Sequence, residues 1–88
     1  MSDILKGEVE NILAEIVEEL ARANKLHKDF NSLHEAYAVI LEELDEVWDF
    51  VKMRYPNTSA LKKELVQVAA MCIKAILNLE LDKENNEF

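Results

Sequence analysis

Two short acidic clusters carry the residue types in this chain that could do chemistry: Glu42-Glu43-Leu44-Asp45-Glu46 and, eighteen residues after it, Glu64-Leu65-Val66-Gln67. Glu43 and Glu46 are three residues apart and Glu42 and Glu46 four, so on a helix each pair projects from neighbouring positions on one side. Glu64 and Gln67 repeat the three-residue step. Carboxylates gathered in this way form an oxygen-only donor set, which suits a hard divalent cation, above all Mg²⁺ or Mn²⁺. Without a cation they repel one another and lose hydration, at a cost of several kcal/mol for buried unpaired charge. A solvated helix face rich in glutamate, itself a good helix former, accounts for the same residues with no ligand at all. Gln67 stands where a fourth carboxylate would complete the set. Its amide carbonyl can still ligate Mg²⁺, but it adds no negative charge and has no basicity for proton transfer.

Helices are the elements that must position these groups. Over Asp3 to Lys25, Leu5, Val9, Ile12, Leu13, Ile16 and Leu20 recur at three- and four-residue steps. Asp3 is placed to cap that helix, and Gly7 weakens its first turn. A second helix starts at Ser32-Leu33-His34-Glu35, a capping box in which Ser32 accepts from the backbone of Glu35 and Glu35 reaches back. Its apolar stripe is Tyr37, Ile40, Leu41, Leu44, Val47, Trp48 and Val51, and it runs to about Arg54 before Pro56 and Asn57 break it. A third helix covers Thr58 or Ser59 to Leu79. Leu61, Leu65, Val68, Ala69, Cys72 and Ile76 form its main stripe, and Val66, Ala70, Met71, Ile73, Ala75 and Leu77 extend the stripe most of the way round. A helix apolar on nearly every side needs burial on nearly every side, more than two neighbouring helices of so short a chain supply. The short connection around Pro56 favours antiparallel packing of the second and third helices, which would bring the two acidic clusters face to face. The expected fold is therefore all-α: three helices in residues 1–80, a single domain whose core is completed by homo-oligomerisation as a dimer or tetramer, with a polar, fraying tail over 81–88.

Composition narrows the partners. The chain has 88 residues, one Gly, one Pro and half its residues apolar, which suits one compact helical domain and argues against disorder. Its net charge of −8 repels nucleic acid polymers and anionic membranes, and an anionic ligand needs metal ions to offset that repulsion. Cys72, the one cysteine, has no internal disulfide partner, and the chain shows neither a signal peptide nor a membrane span; a reducing, cytoplasmic setting fits these features best.

The order Glu42-Glu43-Leu44-Asp45-Glu46 then Glu64-Leu65-Val66-Gln67 resembles the MazG family of all-α nucleoside triphosphate pyrophosphohydrolases, with E-E-x-x-E on one helix and E-x-x-D on the next. The flanking Leu33-His34-Glu35-Ala36-Tyr37-Ala38-Val39-Ile40-Leu41 and Val68-Ala69-Ala70-Met71 resemble short, single-domain members, so the likeness covers about Phe30 to Leu79. The resemblance implies a MazG-like helical bundle and hydrolysis of a nucleoside triphosphate, NTP or dNTP, to the monophosphate and pyrophosphate. It makes Glu43, Glu46 and Glu64 Mg²⁺ (or Mn²⁺) ligands and Glu42 a motif residue near the metal with no assigned role. Gln67 takes the place of the family's aspartate, which weakens the metal site. The alternative it leaves open is a catalytically impaired helical oligomer that binds a nucleotide or a protein partner without turnover.

Other residues read more plainly. Lys52, Arg54 and Lys74 are candidate phosphate contacts, better explained as solubilising charges at helix ends and edges. Phe30 could stack on a base but reads rather as a plug closing the end of the bundle. Trp48 and Tyr37 read as core, Cys72 as a buried structural thiol, His34 as a neighbour of the helix cap and His27 as a solvated loop residue.

Overall fold

The computed structural model describes residues 3–26 and 29–85. They form three α-helices, α1 (Asp3–Leu26), α2 (Leu33–Val51) and α3 (Thr58–Asn85), with no strand among the described residues. The all-α, three-helix expectation stands. Among the described residues no helix is long and apolar enough to cross a membrane. His27 and residues 86–88 lie outside the described residues.

Local chemistry explains the helix ends. Ser32, in extended backbone, caps α2: its Oγ accepts from the Glu35 N–H at 3.0 Å. The returning half of the box is redirected, because the Glu35 carboxylate accepts from Asn31, from its side-chain Nδ2 at 3.0 Å and its backbone N–H at 3.4 Å. Helix α2 stops at Val51, three residues earlier than the sequence suggests. Lys52 forms the C-cap, and Pro56 excludes helical geometry from the residue before it. Asn57 caps α3 by accepting from the Ala60 N–H at 3.1 Å, while its carbonyl accepts from the Leu61 N–H at 3.0 Å. Helix α3 continues past the expected end at Leu79 to Asn85, so five residues of the expected tail, 81–85, are helical. Leu81, Lys83 and Glu84 are helix formers, and neither glycine nor proline follows Leu79 to stop the run.

Helix α3 is the centre of the molecule. Both other helices pack on it, whereas α1 and α2 share no Cα pair within 8 Å among the described residues. Glu43 and Glu46 of α2 meet Glu64 near the start of α3, while Phe30, just before α2, meets Lys74 and Asn78 further along α3. The two helices therefore run antiparallel, as expected. On the other flank Glu15 of α1 pairs with Lys62 at 3.2 Å. The result is an open V of two helices on a third rather than a closed bundle. The radius of gyration is 14.9 Å, against about 12 Å expected for a compact chain of this length.

The open arrangement corrects the reading of the aromatic stripe. Trp48 is 58% exposed and Tyr37 68%, and Leu33, Leu41, Leu44 and Val51 on the same side of α2 are exposed with them. The face of α2 that packs on α3 is another one: Ala36 and Val47 are buried there, with Ile40, Glu43 and Phe50 partly so. At 3.6 residues per turn the two faces lie about 90° apart round the helix. Of the expected stripe, Ile40 and Val47 pack on α3, while Tyr37, Leu41, Leu44, Trp48 and Val51 lie outside this chain's own core. Cys72 is a free thiol, half-buried rather than enclosed.

Candidate metal centre and the cleft beside it

Antiparallel packing of α2 on α3 places the two acidic clusters together. One carboxylate oxygen from each of Glu43, Glu46 and Glu64 lies within 4.8 Å of the others. Opposite ligands of a bound Mg²⁺ stand about 4 Å apart and those of Ca²⁺ about 5 Å, so the three groups are spaced as carboxylates that share one cation are. Their electrostatics are unfavourable as they stand. The Glu64 carboxyl is pushed up from 4.5 to about 7, first by loss of hydration and then by Glu46 and Glu43. Glu43 is also raised above its ordinary value, by loss of hydration first and by Glu46 second. A divalent cation removes both causes, so the donor set fits a hard cation.

Gln67 belongs to the same constellation, its amide lying against Glu43 Oε2 and Glu64 Oε2. Its neighbours there are acceptors, so without a cation the nitrogen end of the amide is assigned to that side, from which it donates to Glu43 Oε2 at 2.8 Å and to Glu64 Oε2 at 3.1 Å. One amide thus bridges carboxylates of two helices. To ligate a cation through its carbonyl, Gln67 must turn over and give up both bonds. Glu42, the remaining motif residue, is exposed and lies outside the three-carboxylate group.

The V between α1 and α2, floored by α3, is a cleft of about 370 Å³. That is within the range of small-molecule sites. Glu19, Arg22 and Ala23 line it from α1; Glu35, Val39, Glu42 and Glu43 from α2; Gln67, Met71 and Lys74 from α3. Glu43 and Gln67 therefore belong to both the metal-type cluster and the cleft. Phe30 closes the far end as a plug: it is 7% exposed, and its backbone N–H donates to the buried Asn78 Oδ1 at 2.9 Å, tying the α1–α2 connection onto α3.

Of the three candidate phosphate contacts, Lys74 departs from the solubilising role expected of all three. Lys74 is not a solubilising edge charge: it is 3% exposed, in the middle of α3, with its ammonium 4.6 Å from the centre of the Phe30 ring. A usable signal was present. Glu64, Gln67, Met71, Lys74 and Asn78 follow three- and four-residue steps, which line them along one face of α3. Lys52 and Arg54 do behave as surface charges. Lys52 pairs with Asp49 at 3.1 Å, Arg54 lies over the exposed Tyr55 ring, and neither lines the cleft.

The chain matches no protein-family model, no curated protein and no solved structure.

Proposed function

We propose that this chain is a Mg²⁺-dependent nucleoside triphosphate pyrophosphohydrolase, releasing pyrophosphate and a nucleoside monophosphate. The observation that carries the reading is the convergence of Glu43, Glu46 and Glu64, with Glu43 and Glu64 raised in pKa, beside a cleft that two of the constellation's residues also line. Glu43, Glu46 and Glu64 hold the cation. When bound, Mg²⁺ (or Mn²⁺) supplies charge neutralisation for the phosphate oxygens and acidifies water. The reaction forms a bond from a water oxygen to the α-phosphorus and breaks the bridging bond to the β-phosphate, whose electron pair leaves with pyrophosphate. The cleft walls orient the nucleotide, and Gln67 fixes Glu43 relative to Glu64. A reducing cytoplasm is the setting that goes with this reading. Pyrophosphate release from a panel of NTPs and dNTPs with Mg²⁺ or Mn²⁺ tests it. Absence of release, together with absence of metal binding by calorimetry, would sink it.

One observation favours a second reading, a helical oligomer that holds a nucleotide or a protein partner without turnover. The Gln67 amide satisfies two of the carboxylates that a cation would otherwise satisfy. Gln67→Asp separates the readings. Activity that appears only in the variant supports the second, and full activity in the parent, unchanged in the variant, removes it.

Both readings include a homodimer or homotetramer. The accessible surface is 6873 Å², about 1,600 Å² above that of a compact monomer of this mass. A standard interface takes about 800 Å² from each partner, and an obligate dimer more. The exposed stripe of Leu33, Tyr37, Leu41, Leu44, Trp48 and Val51 has the three- and four-residue steps of a helix–helix seam. Sedimentation should give at least a dimer. Trp48→Glu should shift it to monomer, and a monomeric parent would refute this part.

A further inference from the structure

We infer that Lys74 is an anion anchor at the inner end of the cleft, taking a phosphate oxygen of a ligand whose other end lies at the Glu43, Glu46 and Glu64 group. Lys74 is almost wholly buried, yet its ammonium makes neither a hydrogen bond nor an ion pair with a described protein group; its partner is the face of the Phe30 ring. The stem of Lys74 is enclosed while its ammonium keeps access to the cleft, so the charge is presented to whatever the cleft holds. It lines the cleft and therefore faces ligand-sized space. The other cation of the cleft, Arg22, is exposed and already paired with Glu19 on its own helix, so the unmet positive charge belongs to Lys74. The carboxylates Glu35, Glu42 and Glu43 share the cleft without bonding to Lys74, so the complementary anion has to come from outside the chain.

The spacing sets the class of ligand. Seven residues separate Gln67 from Lys74 on one face of α3, a rise of about 10 Å along the helix. A single phosphate is too short to meet both ends, whereas a chain of phosphates, or a phosphate ester with a second anionic group, spans the distance. The choice of phosphate over carboxylate rests on the proposed nucleotide-hydrolase reading. The burial and lack of a partner at Lys74 do not depend on it.

The test uses the full chain at low salt with saturating Mg²⁺, which offsets the carboxylates, and the anchor is read separately from the metal group because every variant keeps Glu43, Glu46 and Glu64. Inorganic tripolyphosphate is titrated by calorimetry and by thermal shift into the parent, Lys74→Met and Lys52→Met, with malonate as the carboxylate probe. The parent should bind tripolyphosphate, and Lys74→Met should lose about tenfold or more in affinity, the scale of one charge-assisted contact. Lys52→Met should match the parent. Lys74→Met should melt within a few degrees of the parent in the absence of ligand, because methionine keeps the enclosed apolar stem against Phe30. A structural lysine would give a large fall in melting temperature instead. Equal binding by the parent and Lys74→Met, failure of the parent to bind, tighter binding of malonate than of tripolyphosphate, or a strongly destabilised Lys74→Met would each overturn the inference. Loss of binding in Lys74→Met from a chain that releases no pyrophosphate would support the anchor and remove the hydrolase reading.

Discussion

The two ends of the cleft are incomplete in opposite senses. At one end Glu43, Glu46 and Glu64 bring three carboxylates within 4.8 Å with no cation among them, and Glu64 responds by holding its proton up to about pH 7. At the other, Lys74 is 3% exposed and pairs with no carboxylate among the described residues. Gln67, between them on α3, softens the acidic end by donating to two of its carboxylates, while a phenyl ring is what softens the basic end. A fold optimised for stability alone would pair these charges or replace them with apolar groups. Leaving both unmet along one helix face, beside a cavity, is the pattern of a site whose stability is completed by what it binds.

The strongest way to break this comparison is to empty the acidic end. The double variant Glu43→Gln, Glu46→Gln leaves Glu64 as the only carboxylate of the three. Mg²⁺ or Mn²⁺ affinity by calorimetry should fall by well over the tenfold to hundredfold that loss of even an outer-shell partner costs, and any metal-dependent pyrophosphate release should go with it. In the metal-free chain the same variant should melt higher, since the repulsion that raises Glu64 is gone. A surface that merely carries glutamates would show neither the loss nor the gain.

Gln67→Asp sharpens the same end in the opposite direction. It replaces two donated hydrogen bonds, at 2.8 and 3.1 Å, with a fourth negative charge. Without metal the variant should be less stable by about 1–3 kcal/mol in chemical denaturation, the cost of losing a partner for a part-buried charged acceptor. With saturating Mg²⁺ the deficit should close, because the added carboxylate is then a ligand. A variant equally destabilised with and without metal would mean that Gln67 is a structural bridge and nothing more.

Much of this was legible in the residues, for reasons that also explain what was not. Helix type and number follow from periodicity and caps: Ser32 is a strong N-terminal signal and Pro56 a strong stop, while Asn57, legible only as part of that stop, also caps α3. The meeting of Glu43 and Glu46 with Glu64 follows from two short-range spacings and one short turn. Which of two adjacent apolar faces of α2 a single chain buries is a different kind of question. Both faces have helical period, so periodicity ranks Trp48 beside Val47, and only packing separates them, Val47 buried on α3 and Trp48 exposed. Lys74 was misjudged because composition reads a lysine as solvated, whereas burial depends on the side of α3 that it occupies. The three- and four-residue steps from Glu64 to Asn78 carried that information, but the carboxylates alone drew attention to the face.

The pH dependence of stability tests the acidic end more gently. An acid with a raised pKa keeps its proton in the folded chain after the unfolded chain has lost it. Between 4.5 and about 7 the native state therefore binds the extra Glu64 proton, and stability falls as pH rises through that window, the loss being complete above it. Glu64→Gln removes the effect. The variant should match the parent below pH 4.5 and melt higher at pH 8, by only a few degrees because solvent screens a part-exposed group. Saturating Mg²⁺ should flatten the parent's slope in the same way. A parent whose stability rises between pH 5 and 8 would show that the three carboxylates are not held together in solution.

The smallest effect belongs away from both ends and calibrates the rest. Gly7 lies inside α1, and a Cβ built there meets no atom within 4 Å. Gly7→Ala should therefore add about 0.5–1 kcal/mol, the helix-interior difference between the two residues, acting partly through the unfolded chain. Because Gly7 touches neither unmet charge, the gain in denaturant unfolding should be the same at pH 5 and pH 8, with and without Mg²⁺ or tripolyphosphate. A gain that varies with metal or anion would mean that α1 shifts when the cleft is filled, and that the two ends are coupled through the helix that forms the cleft's third wall.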